Sequence, residues 1–238
     1  MTARRPRFTA AERRLIERLS TPARVQAWLN ALPYNDEPGG PTQRSFRGVV
    51  RHRRAHCMEA ALFAATVLEH HGYEPLVMSL ESADLLDHVL FAYRHPVTRR
   101  WGSVARSRDI GLHGRKPRFP SARALARSYM DPYVDETGRI EAFAVAHLDR
   151  LMGRYDWRTA EGNVWAVERA LCELAHAPLP SSDARHRRLR RAYLEHRAAH
   201  GGAKPTRFRG REHWTALPGA RRRWGPSPGA AAAAPTGS

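Results

Sequence analysis

The chain predicts an α+β fold, a buried helix packed against an antiparallel sheet with further helices around them. Three observations carry that expectation. Residues 56–72 read His-Cys-Met-Glu-Ala-Ala-Leu-Phe-Ala-Ala-Thr-Val-Leu-Glu-His-His-Gly, a run of good helix formers closed by a glycine suited to a helix exit. Directly after Gly72 the apolar pattern changes from helical to extended: residues 75–80, then His-Val-Leu-Phe-Ala-Tyr-Arg at 88–94, then residues 101–105. The last two are joined by a Pro-containing turn at residues 95–100, which returns the third strand antiparallel to the second.

In the central helix Cys57, Ala60, Ala61, Ala64, Val67, Leu68 and His71 share one face, and Phe63 and Ala65 widen it, so the helix should be largely buried. It should begin at or just before Cys57. Upstream, residues 1–8 read as a loose basic arm. Thr9 then caps a helix, with Glu12 completing a capping box and Leu15, Ile16 and Leu19 as its apolar face. Ser20-Thr21-Pro22 ends that helix and opens a second, with Pro22 in its first turn and Val25, Trp28 and Leu29 on one side. Residues 33–42 are a loop by composition, and residues 46–50 lead into the central helix.

Downstream, residues 81–87 form a polar loop and residues 106–120 an irregular, basic one. Ser121 caps a helix carrying Ala124, Leu125 and Tyr129, and residues 133–139 turn through Gly138. Residues 143–151 fit a short helix or an extended segment. Residues 159–175 hold another helix, with Val164, Trp165, Val167, Leu171 and Leu174 as its core face. Past Pro178 apolar content falls. Residues 184–200 fit a charged helix, and the rest should be disordered. The expected division is an N-terminal arm and short helix (1–20), a core domain (21–178) and an Arg-rich, mostly disordered tail (179–238).

At 238 residues and 42% hydrophobic composition, the chain can build a substantial core. No apolar run is long enough to span a membrane, and no apolar stretch follows the basic N-terminus as in a secretory signal. A cytoplasmic protein without membrane contact is expected. The two cysteines, Cys57 and Cys172, do not form a disulfide framework, which leaves Cys57 a free thiol. The net charge of +17 comes almost wholly from arginine, Lys116 and Lys204 being the only lysines. It is densest at residues 185–191 and 207–223, so nucleic acid is an unspecific candidate partner; no zinc-finger, Walker-loop or RNA-binding signature accompanies it.

The chemistry centres on Cys57. A thiol in the first turn of a helix is favoured as thiolate by the free N–H groups and the positive dipole end. His88, at the opening of a strand, supplies an imidazole that can pair with the thiolate and protonate a leaving group. A third polar group usually orients such a ring, and the next strand offers Ser103, Ser107 and Asp109. The Ala-His-Cys-Met-Glu-Ala segment, the Asp-His-Val-Leu-Phe-Ala-Tyr strand and the Trp-Gly-Ser-Val strand resemble the transglutaminase-like superfamily, and within it a group of bacterial members. The likeness spans residues 21–151. It implies a papain-like Cys-His-Asp core, with Cys57 as nucleophile, His88 as general base and acid, and Asp109 as the third member. Asp109 lies later than the family's acid usually does, so Ser107 or a backbone carbonyl is the alternative. The implied activity is attack on an amide or ester of a peptide, protein or small molecule through a Cys57 thioester, resolved by hydrolysis or acyl transfer, with no cofactor or metal.

Other readings compete. The same fold without its activity would be a binding or scaffold module; an Arg-rich nucleic-acid-binding protein is a third class. His52, His56, His70 and His71 suggest a metal, but no fourth ligand completes a site. No acidic ligand cluster suggests calcium. Asp87 reads as a loop cap, and Arg115, Lys116 and Arg118 as a solvated loop near the site. Trp28, Trp101 and Trp165 read as core. An oxyanion site needs the Cys57 N–H and one further donor, with Asn35, Gln43 and Tyr34 as candidates.

Overall fold

The computed structural model describes residues 7–202. The expected basic arm falls largely, and the region after the charged helix almost wholly, outside those residues. Eight α-helices and six strands run in the order α1 (Ala10–Arg18), α2 (Pro22–Asn30), α3 (Phe46–His52), α4 (Cys57–Glu69), β1 (Leu76–Ser82), β2 (His88–Arg94), β3 (Trp101–Val104), β4 (Arg115–Phe119), α5 (Ala122–Tyr133), β5 (Ile140–His147), α6 (Leu148–Met152), α7 (Trp165–Cys172), β6 (Ala177–Pro178) and α8 (Asp183–Ala199). A 3-10 turn, Ile110–Leu112, precedes β4. The strands form one sheet in the order β4-β3-β2-β1-β5-β6, antiparallel at every pairing. The α+β class is therefore observed.

Local chemistry accounts for the helix starts. The Thr9 hydroxyl accepts from Glu12 N while the Glu12 carboxylate accepts from Thr9 N at 2.8 Å, the reciprocal capping the sequence implies. Thr21, Ser45, Ser121 and Ser182 cap α2, α3, α5 and α8 more simply, each hydroxyl accepting from the N–H three residues on. Past the end of α4, Gly72 adopts a positive φ of 82°, a conformation open to glycine at little cost.

Helix α4 lies at the centre of one core. Ala60, Ala61, Phe63, Ala64, Ala65, Val67 and Leu68 are all fully buried, packed with α1, α2, α3, α7 and the sheet residues Val77, Val89, Phe91, Tyr93 and Val104. Met78, Leu80, Leu90, Ala92 and Trp101 belong to a second core with Leu125, Ala126, Tyr129 and Tyr133 of α5. Strand alternation sends successive residues to opposite faces, so the sheet is sandwiched between α4 and α5. Gly102 is required where β3 passes β2 and β4: a Cβ there would come within 2.7 Å of the Tyr93 ring and 2.9 Å of the Arg115 carbonyl.

Four expectations are corrected. Residues 46–50 do not run into the central helix; they belong to α3, which Arg53 closes in the left-handed region (φ 55°). The segment 106–120 is not wholly irregular, since it holds the 3-10 turn and edge strand β4. Residues 143–151 divide between β5 and α6. The helix over 159–175 is shorter, with residues 157–164 in turns ahead of α7. The charged helix is present as α8; Tyr193 is its buried contact, while Arg185 and Asp183 pair with Asp131 and Arg139. Among the described residues no helix is long and apolar enough to cross a membrane.

Candidate active site

Cys57 is the first residue of α4 and partly exposed. A helix leaves its first N–H groups without intrahelical acceptors, so the thiol sits at the positive end of a buried helix. His56, one residue earlier, is the N-cap, with extended backbone (φ −90°, ψ −173°). His88 is the first residue of β2; Asp87 before it caps the hairpin by accepting from Ser82 N at 3.0 Å. Burial would raise the Cys57 pKa, but hydrogen bonds and charge from both His56 and His88 hold the thiol well below its ordinary range.

The two rings are fixed by matching devices. His88 Nε2 lies 2.9 Å from the Leu112 carbonyl, and His56 Nε2 lies 2.8 Å from the Thr42 carbonyl. A carbonyl oxygen only accepts, so Nε2 carries the proton in each ring and Nδ1 is the nitrogen left for the thiol. Both histidines are at least nine-tenths buried.

The expected third member stands one step removed. The Asp109 carboxylate accepts from Gly111 N at 3.0 Å and caps the 3-10 turn, while Ser107 Oγ accepts from Asp109 N at 3.1 Å. The group that meets His88 Nε2 is the Leu112 carbonyl, at the end of that turn. Ser103 hydrogen-bonds Tyr129 at 2.7 Å and accepts from Arg115 N at 2.9 Å. Arg115, expected in a solvated loop, is instead only 2% exposed. Its guanidinium lies 4.1 Å over the Tyr129 ring and donates to the carbonyls of Gly111 (2.7 Å) and His113. Tyr129 adds a bond to the His113 carbonyl at 3.2 Å and lies beside the His88 ring, with centroids 5.7 Å apart. Arg115 and Tyr129 thus clamp the backbone on both sides of Leu112.

A second network holds the other side. Glu59, in the first turn of α4, is fully buried. Its Oε1 accepts from Thr42 Oγ1 (2.8 Å) and Arg44 N (3.1 Å), and its Oε2 from Asn35 Nδ2 (3.0 Å) and His56 N (3.0 Å). The His56 Nε2 is 3.6 Å from Glu59 and 3.8 Å from Glu37. Burial opposes the His56 charge, yet the Cys57 thiolate, Glu59 and the Thr42 carbonyl together raise its pKa to about 9.

Of the three oxyanion candidates, Asn35 spends its amide hydrogens on Thr42 and Glu59. Gln43 is buried and ties its backbone to Asn163 and Val164. Tyr34 is the one electrically coupled to Cys57: burial and the neighbouring thiolate raise its pKa, with Arg108 opposing, so the phenol keeps its proton. His52, His70 and His71 lie away from this centre, His70 and His71 bonding the carbonyls of Thr66 and Ile16. Among the described residues no group of three or more His, Cys, Asp or Glu side chains could hold a metal ion.

Two participants escaped the sequence reading. His56 was visible, immediately ahead of Cys57, but weighed only as a metal ligand. The Leu112 carbonyl has no side-chain signature. Comparison of the chain with protein-family models finds no match, and comparison with curated proteins finds none.

Proposed function

We propose that this chain is a cysteine hydrolase or acyltransferase with a transglutaminase-like core, using Cys57 as nucleophile and His88 as the proton-exchanging group. The observation that carries the reading is the position of Cys57, at the N-terminus of a buried helix, its pKa lowered by His56 and His88, whose rings are each held by a main-chain carbonyl. The Cys57 thiolate attacks the carbonyl carbon of an amide or ester, and the new C–S bond pushes the carbonyl electrons onto oxygen. The helix N-terminus and the Tyr34 hydroxyl are suited to stabilise that oxyanion. Collapse breaks the C–N or C–O bond, and the departing group takes up a proton that His88 draws from solvent onto Nδ1 and passes on; the proton His88 gains in the next step goes back to solvent. His88 then takes a proton from water or an incoming amine, which attacks the thioester and returns the thiolate. The Leu112 carbonyl orients His88 in the place where a carboxylate is common; it polarises the ring without adding a charge.

The test is turnover of an activated ester by the full chain with Cys172 changed to Ser. Incubation with p-nitrophenyl acetate should give a burst, an acetyl adduct on Cys57 in the intact mass, and continued turnover. Cys57→Ala should abolish all three, and His88→Ala should slow turnover by about 10²–10⁴-fold. An adduct that forms but is not turned over, with no effect of His88→Ala, would overturn the enzyme reading in favour of a binding module.

A further inference from the structure

Cys57 has two imidazoles, and the groups around them differ. His56 is faced by Glu59 of its own helix at 3.6 Å and by Glu37 of the preceding loop at 3.8 Å, besides Cys57 itself. The Arg44 guanidinium stands 3.7 Å from Glu59. His88 is faced by Tyr129 from α5, by the Leu112 carbonyl and by His113, whose own proton is repelled by burial and by Arg106 and Arg115; none of these is a carboxylate. Tyr34 from the loop and Tyr133 from α5 also feel the charge of Cys57. An imidazolium needs two acceptors when buried, and His56 has them in the Thr42 carbonyl and the thiolate. Two imidazoliums against one thiolate would repel each other, so the ring beside the carboxylates retains its proton.

We propose that the two imidazoles divide the work: His56 is a standing counter-ion that keeps Cys57 as thiolate, and His88 is left free to exchange protons with the leaving group and the incoming nucleophile. This rests on the cysteine-enzyme reading above. A consequence is that nucleophile activation survives loss of His88, because the thiolate has a partner that takes no part in proton transfer.

The experiment uses the full chain with Cys172→Ser, so that iodoacetamide reports Cys57 alone. Alkylation rates are followed from about pH 4 to about pH 10, below and above an ordinary thiol pKa. His56→Asn removes the imidazolium but keeps a preferred N-cap residue. At about pH 6 that variant should be alkylated more than about tenfold more slowly than the parent, equivalent to one unit of thiol pKa or more. His88→Asn, which removes the smaller of the two contributions, should slow alkylation several-fold less than His56→Asn does at the same pH. The reverse ranking overturns the division of labour. A measurement on the unmutated site guards against misfolding of the variants: with labelled histidine, the His56 ring resonance should stay in its imidazolium position through neutrality and titrate at about 9. Titration near the ordinary histidine value of about 6.5 would overturn the proposal. Neither readout requires turnover, so failure of the ester assay with these results intact would count against the enzyme reading alone.

Discussion

Glu59→Gln gives the sharpest test of how the site is held. The change is isosteric, so no cavity opens, and the cost comes from hydrogen bonding and from the lost charge beside His56 and Arg44. Four donors converge on the two carboxylate oxygens: Thr42 Oγ1 and Arg44 N on one, Asn35 Nδ2 and His56 N on the other. A glutamine amide replaces one oxygen by an NH2 group, which loses two bonds to the carboxylate and sets at least one N–H against a donor in a site with no solvent access. Two hydrogen bonds to a charged acceptor at about 1.5–3 kcal/mol each put the loss at about 3–6 kcal/mol. That is a large part of the stability of about 5–15 kcal/mol typical of a folded domain. Urea unfolding followed by tryptophan fluorescence would measure it. Thr42→Val removes one of the same bonds, so the double variant should lose less than the sum of the two single losses. A loss below about 1 kcal/mol for Glu59→Gln, at unchanged denaturant slope, would refute the claim that this carboxylate pins the loop at residues 35–44 to the start of α4.

Three further outcomes follow from the same geometry. Arg115→Met should release the clamp on Leu112; turnover of the activated ester should fall by about tenfold or more while Cys57 alkylation changes little, because the loss falls on the orientation of His88. Equal loss in both assays would show a general collapse of the site instead. Phe63→Ala empties the space between Trp28, stacked at 4.4 Å, and Phe46, at 5.2 Å, and should cost about 3–5 kcal/mol in urea unfolding. The His56 pKa is raised from 6.5 to about 9 by folding, so its contribution to stability, up to about 3 kcal/mol, is fully present below the unfolded value and is lost as pH rises through the folded one. The stability advantage of the parent over His56→Asn should therefore shrink between about pH 7 and pH 10, in comparative unfolding at each pH; an advantage that grows with pH would reverse the sign of this reasoning.

Much of the frame is legible along the chain because it is written in local pattern. The Thr9–Glu12 capping box, the Thr21-Pro22 helix start, the apolar run of α4 with Gly72 after it, and the seven residues of β2 each carry their instruction within a few positions. Strand β4 was missed because Arg-Lys-Pro-Arg-Phe has neither apolar alternation nor a proline-free core. It is tolerated as an edge strand, where only the β3 side must be paired. The break between α3 and α4 is not legible, because no feature of the Arg53 side chain marks its left-handed conformation.

The sequence by itself pointed to the residues that could do chemistry, one thiol at a helix start and one imidazole at a strand entrance. Tertiary structure alone decided what each of them faces. The partner of His88 is a main-chain oxygen, which every residue has and no side chain marks, and it is placed by a buried arginine of a type usually found at the surface. The direction of the His56 ring depends on a carbonyl 14 residues away, held there by a carboxylate from the helix it caps. Such contacts join segments distant in sequence through hydrogen bonds made only when water is excluded, and periodicity and propensity carry no record of them.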